Sequence, residues 1–161
     1  MEKLRILLVE DEYIIRLTLA EALGDAGYLV EEAQSTDEAM TATLALEEAG
    51  QRIALLITDI QLAGPTDGLG LVRALRERQP ELPAIYVTGR PDAIGKTHMS
   101  ARDVFVAKPY LPSQITSICR GLIGTVGDAA PAHASAGGAL DTTMPAAWPA
   151  SSDNPSSRRT Q

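Results

Sequence analysis

The sequence predicts an α/β fold in which a five-stranded parallel sheet carries helices on both faces. Nearly continuous aliphatic runs, such as LRILLV (residues 4–9) and IALLIT (53–58), are typical of strands that are buried on both faces. Segments with apolar residues at helical spacing separate these runs, and alternating strands and helices form parallel sheets through right-handed crossovers. Five such units fit residues 1–124.

The first half of this pattern contains three strands and two helices. The run at 4–9 forms the first strand, and a helix follows it. Residues 28–33 form the second strand, after which Ser35 and Glu38 make a capping-box pattern that opens a second helix. The third strand ends in an acid, Asp59. The residues expected to face inward on the two helices are Ile15, Leu19, Leu23, Ala26, Ala39, Ala42, Leu46 and Ala49.

The second half begins with a Gly- and Pro-containing loop at 61–68, which leads to a third helix. Residues 84–88 and 104–107 form the fourth and fifth strands. The segment between them, 89–102, contains a proline and few apolar residues, so we expect any helix there to be short or loose. A last helix follows the fifth strand. The inward residues expected on the third and last helices are Leu71, Val72, Leu75, Leu111, Ile115, Ile118 and Leu122.

The composition of the chain changes near Thr125. In residues 125–161, 30 of 37 residues are Ala, Gly, Ser, Thr, Pro, Asp, Asn or Gln, and such a stretch cannot bury enough apolar surface to offset its ordering entropy. Residues 1–124 carry most of the net charge of -7. We therefore predict one folded domain at 1–124 and a disordered C-terminal tail at 125–161.

The acidic balance, and the lack of an apolar run long enough to span a membrane, disfavour several classes of protein. Negative charge disfavours binding to nucleic acid and to anionic lipid. The chain has no apolar window long enough to span a membrane and no signal-peptide pattern. The lone Cys119 makes no disulfide framework. We expect a cytoplasmic protein that binds neither nucleic acid nor membrane.

Polar side chains follow four of the predicted strands at their carboxyl ends. Glu10 and Asp11 follow the first strand, Asp59 the third, and Lys108 the fifth, while Thr88 ends the fourth. In a parallel sheet these ends meet at one edge, where ligands bind at the point of strand-order reversal. Three carboxylates repel one another unless a cation lies among them, and Mg²⁺ prefers such oxygen ligands.

Two of these residues have local features that favour a functional role. Lys108 precedes Pro109, and the X-Pro bond is the one place where a cis peptide costs little; a cis bond would turn the lysine over the strand ends. Thr88 precedes Gly89, which leaves room for a ligand, so its hydroxyl is a candidate donor to a phosphoryl oxygen.

This set of residues closely resembles the receiver domain of bacterial two-component response regulators, over about residues 3–124. The resemblance implies a flavodoxin-like (βα)5 fold and phosphorylation of Asp59 by a sensor histidine kinase or a histidine phosphotransfer protein. It also implies that Thr88 and Lys108 contact the phosphoryl group and that Thr88 and Phe105 form a switch. The Mg²⁺ ligands that it implies are Glu10, Asp11, Asp59 and the backbone carbonyl of Gln61.

Two alternatives remain open. One is a receiver-like binding module that acts without phosphorylation. The other is an NTPase, since Gly89 to Thr97 nearly spells a P-loop, but five residues separate its glycines where the motif needs four. After Leu122 no DNA-binding or enzymatic pattern follows, so we expect a stand-alone receiver that is not an enzyme. Such a protein signals through phosphorylation-dependent contact with a downstream protein or through a phosphorelay.

Overall fold

The computed structural model describes residues 2–90 and 100–125, which build a single five-stranded parallel sheet. Each strand begins and ends within two residues of its predicted bounds, because the buried aliphatic runs that define them are long and uninterrupted. The strands are β1 (Arg5–Val9), β2 (Leu29–Ala33), β3 (Leu55–Asp59), β4 (Ala84–Thr88) and β5 (Asp103–Ala107).

The strand order is β2-β1-β3-β4-β5. The chain passes from β1 to β2 on one side, then crosses back to β3 on the other side of β1 and continues to β4 and β5. The order therefore reverses between β1 and β3. In open parallel sheets, ligands bind outside the carboxyl ends of the strands at such a reversal.

Four helices in the described residues cover both faces of the sheet, as the sequence predicts. The helices α1 and α4 pack on one face through residues such as Leu19 and Ile115. The helices α2 and α3 pack on the other face through residues such as Leu46 and Leu71. Their bounds are α1 (Tyr13–Asp25), α2 (Thr36–Glu48), α3 (Gly68–Arg78) and α4 (Pro112–Ile123).

The predicted start of α2 is confirmed in part. The Ser35 hydroxyl accepts a hydrogen bond from the Glu38 backbone N–H at 3.2 Å. The Glu38 carboxylate accepts from the N–H of Gln34 at 3.0 Å, one residue earlier than a capping box requires. Only the bond from the Glu38 N–H to Ser35 satisfies a backbone donor that the first turn of the helix leaves free, because Gln34 lies before the cap.

Two residues predicted to face inward are exposed. Ala49 follows the last residue of α2, and Thr43 is buried on that helix instead, with its hydroxyl donating to the Ala39 carbonyl at 2.8 Å. Leu111 is the N-cap of α4 and is 64 % exposed. In both cases the apolar spacing continued one residue beyond the helix, where the chain no longer follows the helical rotation.

Two predictions fall outside the described residues. They are the loose helix between β4 and β5, which would include residues 91–99, and the disordered tail, of which residues 126–161 are not described. The division of the chain near Thr125 also stays a prediction. None of the helices in the described part of the chain is long and apolar enough to cross a membrane.

The end of α4 returns to the edge of the sheet at which the strands begin. The Tyr28 hydroxyl, one residue before β2, donates to the Gly124 carbonyl at 2.6 Å. The backbone N–H of Leu29 donates to the carbonyl of Leu4 at 2.9 Å. The start of β1 and the end of α4 therefore both lie at the amino-terminal ends of the strands.

Candidate functional site

Three acids meet at the carboxyl ends of β1 and β3, where the strand order reverses. Glu10 and Asp11 directly follow β1, and Asp59 is the last residue of β3. One carboxylate oxygen from each lies within 4.8 Å of the others. Glu10 and Asp59 are only 3 % and 6 % exposed, while Asp11 is exposed. Two of the three acids are therefore buried, and the cluster is open to solvent at Asp11.

Lys108 lies over the two buried acids. Its Nζ is 2.6 Å from Asp59 Oδ2 and 3.2 Å from Glu10 Oε2. The Lys108–Pro109 peptide bond is cis, as the sequence indicated. Three carboxylates against one ammonium leave a formal excess of two negative charges. This excess is what a divalent cation would neutralise.

Backbone amides fix the direction of both buried carboxylates. The N–H of Gln61 donates to Asp59 Oδ1 at 3.0 Å, and the N–H of Glu12 donates to Glu10 Oε1 at 3.1 Å. The backbone of Gln61 is thus next to Asp59. A role for its carbonyl as a metal ligand stays a prediction.

The electrostatics of the cluster keep the positive charge of Lys108 beside Asp59. Burial raises the pKa of the Glu10 carboxyl, and this effect outweighs the lowering by the Glu12 N–H and by Lys108. Burial alone would lower the pKa of Lys108, but its hydrogen bond to Asp59 and the charges of the two acids raise that pKa overall. Lys108 therefore stays protonated at neutral pH.

Gly68, the first residue of α3, touches the backbone of Asp59. A Cβ at this position would overlap the carbonyl oxygen of Asp59. The Gly68 N–H donates to the Ile60 carbonyl at 2.9 Å, and the Asp67 side chain caps the helix at the N–H of Gly70. Sequence reasoning missed this contact, although an aspartate and a glycine at the start of a predicted helix were a usable signal.

Thr88 lies one residue further along β4 than Val87, the register partner of Asp59. It is completely buried. Its hydroxyl oxygen accepts a hydrogen bond from the Arg90 N–H at 2.9 Å, and its carbonyl accepts from the Lys108 N–H at 2.8 Å. The structure thus places Thr88 on the strand that pairs with the strand of Asp59, and the backbone N–H of Arg90 donates to the Thr88 hydroxyl oxygen.

Phe105 stacks against Tyr86 on the same face of the sheet. The ring centroids are 4.6 Å apart, with an angle of 14° between the planes. Burial raises the pKa of the Tyr86 hydroxyl to about 12. Thr88 follows Tyr86 by two positions, so both side chains point to the same face. Sequence reasoning named Phe105 and Thr88 but missed Tyr86. Its ring stacks on that of Phe105, and it lies two residues before Thr88 on the same strand.

An apolar cavity of about 430 Å³ lies beside the acidic cluster, between α1 and the connection from β5 to α4. Lys108 borders both the cavity and the acidic cluster. The lining residues include Ile14, Ile15, Leu19, Lys108, Pro109 and Tyr110.

The chemistry of the acidic cluster fits Mg²⁺. This ion takes carboxylate oxygens and usually keeps several of its waters, so it needs an open side. Glu10 and Asp59 supply buried carboxylates, and Asp11 supplies an exposed one. The three residues therefore have the right donor atoms, the right charge and access to solvent.

Comparison with known proteins identifies the family. The family model for the response regulator receiver domain matches residues 6–120, which is more than half of the chain. The chain belongs to the response regulator receiver domain family. Receiver domains are signalling modules that interact with histidine kinases or phosphotransfer proteins, and they typically bind Mg²⁺ at an acidic cluster.

Individual relatives agree with this assignment. The receiver domain is 37 % identical over 124 residues to the transcriptional regulatory protein AruR of Pseudomonas aeruginosa, which covers 76 % of this chain and 50 % of AruR. It is 32 % identical over 120 residues to the sensor kinase CckA of Brucella abortus, covering 73 % of this chain and 12 % of CckA. The chain thus spans half or less of the length of these curated relatives.

A solved structure confirms the predicted fold. The crystal structure of a response regulator receiver protein from Sinorhizobium medicae matches with a TM-score of 0.62 at 28 % identity. The match covers 76 % of this chain and 95 % of that one. The receiver domain therefore has the flavodoxin-like (βα)5 fold that the resemblance implied.

Proposed function

We propose that Asp59 of this receiver domain accepts a phosphoryl group from a phosphohistidine of a histidine kinase or a histidine phosphotransfer protein. Phosphorylation then changes the contacts of the domain with a downstream protein, or passes the phosphoryl group along a relay. The observation that carries this proposal is the position of the Asp59 carboxylate, 2.6 Å from the Lys108 ammonium and inside an acidic cluster.

The transfer forms one bond and breaks another. A carboxylate oxygen of Asp59 attacks phosphorus in line, a P–O bond forms, and the P–N bond breaks with its electron pair returning to the imidazole of the donor. Such a transfer depends mainly on positioning and on neutralising charge. The Lys108 ammonium neutralises part of the negative charge of the phosphoryl oxygens. The Gln61 N–H donates to the Asp59 carboxylate and so fixes its orientation.

Glu10, Asp11, Asp59 and the backbone carbonyl of Gln61 would hold Mg²⁺. When bound there, the ion supplies positive charge to the transferring phosphoryl oxygens. The Thr88 hydroxyl donates to the phosphoryl group once that group is present. Its present partner is the Arg90 N–H, which uses an oxygen lone pair and leaves the hydroxyl proton free to donate elsewhere.

The surface next to the acceptor supports docking of a protein donor. Ile14 and Tyr13 on α1 are 68 % and 61 % exposed, and Leu111 at the start of α4 is 64 % exposed. Large apolar side chains exposed together mark contact sites for proteins. Ile14 lines the same cavity as Lys108, so a donor docked on Ile14 would lie close to the Lys108–Asp59 pair.

The proposal is tested by incubation with Mg²⁺ and acetyl phosphate, followed by mass spectrometry of the intact protein. We expect the wild type to gain the mass of one phosphoryl group and Asp59→Asn to gain none. Asp67→Asn is the matched control, because Asp67 is an exposed helix cap on the next loop and asparagine caps helices equally well. This control variant should be phosphorylated like the wild type.

Either of two results would contradict the proposal. A wild type that gains no mass favours the binding module that acts without phosphorylation. A mass gain that persists in Asp59→Asn assigns the acceptor to another residue.

A further inference from the structure

Arg16, near the start of α1, reaches back to the end of β1. Its Nη1 donates a hydrogen bond of 2.8 Å to the backbone carbonyl of Glu10, and its Nε lies 3.3 Å from Oε1 of Glu32 in β2. The guanidinium also lies 5.6 Å from the centre of the Tyr13 ring. The side chain is only 13 % exposed. One residue thus ties α1 to the end of β1 and to β2.

The carbonyl that Arg16 binds belongs to the peptide unit between Glu10 and Asp11. The remaining polar groups of Glu10 have their own partners, since its N–H donates to the Ala33 carbonyl at 3.0 Å and its carboxylate accepts from the Glu12 N–H at 3.1 Å. Arg16 holds the one peptide group that connects the two acids. A rotation of that peptide would redirect Asp11, whose exposed side chain takes its direction from the backbone.

We propose that Arg16 is a positioning residue, which fixes the Glu10–Asp11 peptide and so sets the affinity of the acidic cluster for Mg²⁺. The proposal rests on the proposed function, in which that cluster holds the ion. Arg16 acts through the peptide and does not touch the ion. Partners that orient metal ligands typically change metal affinity by 10- to 100-fold when they are removed, so we expect a loss of about 10-fold for Arg16.

The hydrogen bond to the carbonyl, and not the ion pair, is the contact that matters in this proposal. Glu32→Gln removes the carboxylate partner of Arg16 while leaving the bond to Glu10 in place. This variant should therefore bind Mg²⁺ like the wild type. The guanidinium is suited to this role because its planar fork can donate in two directions at once.

Arg5 is a matched control at the other end of the same strands. Like Arg16, it is a mostly buried arginine that pairs with a glutamate of β2, with Nη1 at 3.4 Å from Glu31 Oε2. It is the first residue of β1, whereas Glu10 follows the last. A purely structural arginine affects stability wherever it lies, but only a positioning residue changes the metal site.

The test is a titration of ¹⁵N-labelled protein with Mg²⁺ alone, followed by NMR, with unfolding in urea measured in parallel. We expect the dissociation constant of Arg16→Gln to rise about 10-fold, and those of Arg5→Gln and Glu32→Gln to stay within about twofold of the wild type. In the wild type, the resonance of the Arg16 Nη1–H group that donates to the Glu10 carbonyl should shift during the titration, while the side-chain resonances of Arg5 do not. This second measurement decides the question even if Arg16→Gln does not fold.

The outcomes separate the two proposals. If the wild type binds Mg²⁺ and Arg16→Gln binds it equally well, or Arg5→Gln loses as much affinity, the role of Arg16 is overturned and the proposed function stands. An Arg16 resonance that stays unchanged in a wild type that binds the ion also overturns it. A wild type that shows no response to Mg²⁺ contradicts the proposed metal site and the role of Arg16 together.

Discussion

Gly68 shows how a residue with no side chain allows a helix to pack against the backbone of Asp59. The first turn of α3 packs so closely on the end of β3 that a Cβ at Gly68 would overlap the Asp59 carbonyl oxygen. Backbone atoms cannot move aside as a flexible side chain can. The close approach of α3 therefore depends on glycine at this position.

Gly68→Ala should lower the free energy of unfolding by about 1 to 3 kcal/mol, the usual cost of forcing extra atoms into a packed site. Gly24→Ala is the control, because Gly24 is exposed on α1 and a Cβ there has no neighbour within 4 Å. Alanine in a helix should instead stabilise that variant by about 0.5 to 1 kcal/mol. Urea denaturation measures both values, and equal stability of the two variants would show that α3 can shift at no cost.

The sequence predicted those site residues that chain order places at strand ends, and it missed those that depend on contact between distant elements. Asp59 and Lys108 follow buried runs, so the rule for parallel sheets was enough to bring them together. Arg16 is an ordinary exposed-looking arginine in the sequence. The role proposed for it depends on the contacts of its guanidinium group, which only the packing of α1 against β1 and β2 determines.

At the scale of elements, β4 and β5 carry the aromatic pair that lies next to Thr88. Tyr86 and Phe105 are register partners on these strands, and their rings are stacked. Thr88 lies on the same face, one residue beyond the neighbour of Asp59. A phosphoryl group that attracts the Thr88 hydroxyl would therefore change the space next to this aromatic pair.

Adding Mg²⁺ and beryllofluoride should shift the ring resonances of Tyr86 and Phe105 in NMR spectra of the wild type. Thr88→Val keeps the size of the side chain and removes the hydroxyl that could donate to the phosphoryl mimic. We expect this variant to bind beryllofluoride without the ring shifts. Ring shifts of the same size in Thr88→Val would show that the aromatic pair responds by another route.

Element types were easier to predict than element ends. The spacing of apolar residues predicted all five strands and the helices α1 to α4. Each of these elements contributes apolar residues to the core. The same pattern placed Leu111 and Ala49 inside, since spacing alone does not show where a helix stops. At Leu111 the backbone is extended and the residue serves as the cap of α4.

At the scale of the whole molecule, exposed apolar side chains differ between the two faces of the sheet in their distance from the acidic cluster, because Ile14 lines the same cavity as Lys108. Ile14 is 68 % exposed on α1, and α1 lies on the same face of the sheet as α4. Leu44, which is 40 % exposed, lies on α2 and therefore on the opposite face. The two residues allow the faces to be compared.

Ile14→Ser should slow phosphoryl transfer from a phosphohistidine donor protein by about fivefold, which corresponds to about 1 kcal/mol of lost docking energy. Phosphorylation by acetyl phosphate should stay unchanged, because a small donor needs no docking surface. Leu44→Ser should leave both rates unchanged. A slower reaction of Ile14→Ser with acetyl phosphate would mean that the substitution disturbs the acceptor itself.

The end of α4 lies close to the amino-terminal ends of the strands, and this has a practical consequence. Leu4 and Gly124 both lie beside the start of β2, through Leu29 and Tyr28, and the acidic cluster lies at the opposite edge. A short linker from Gly124 to Leu4 would give a circular permutant of residues 4–124 with new termini in a surface loop. Domains whose ends lie close together tolerate such a change well. Fluorescent reporters fused next to Leu4 or Gly124 would likewise lie away from the acidic cluster.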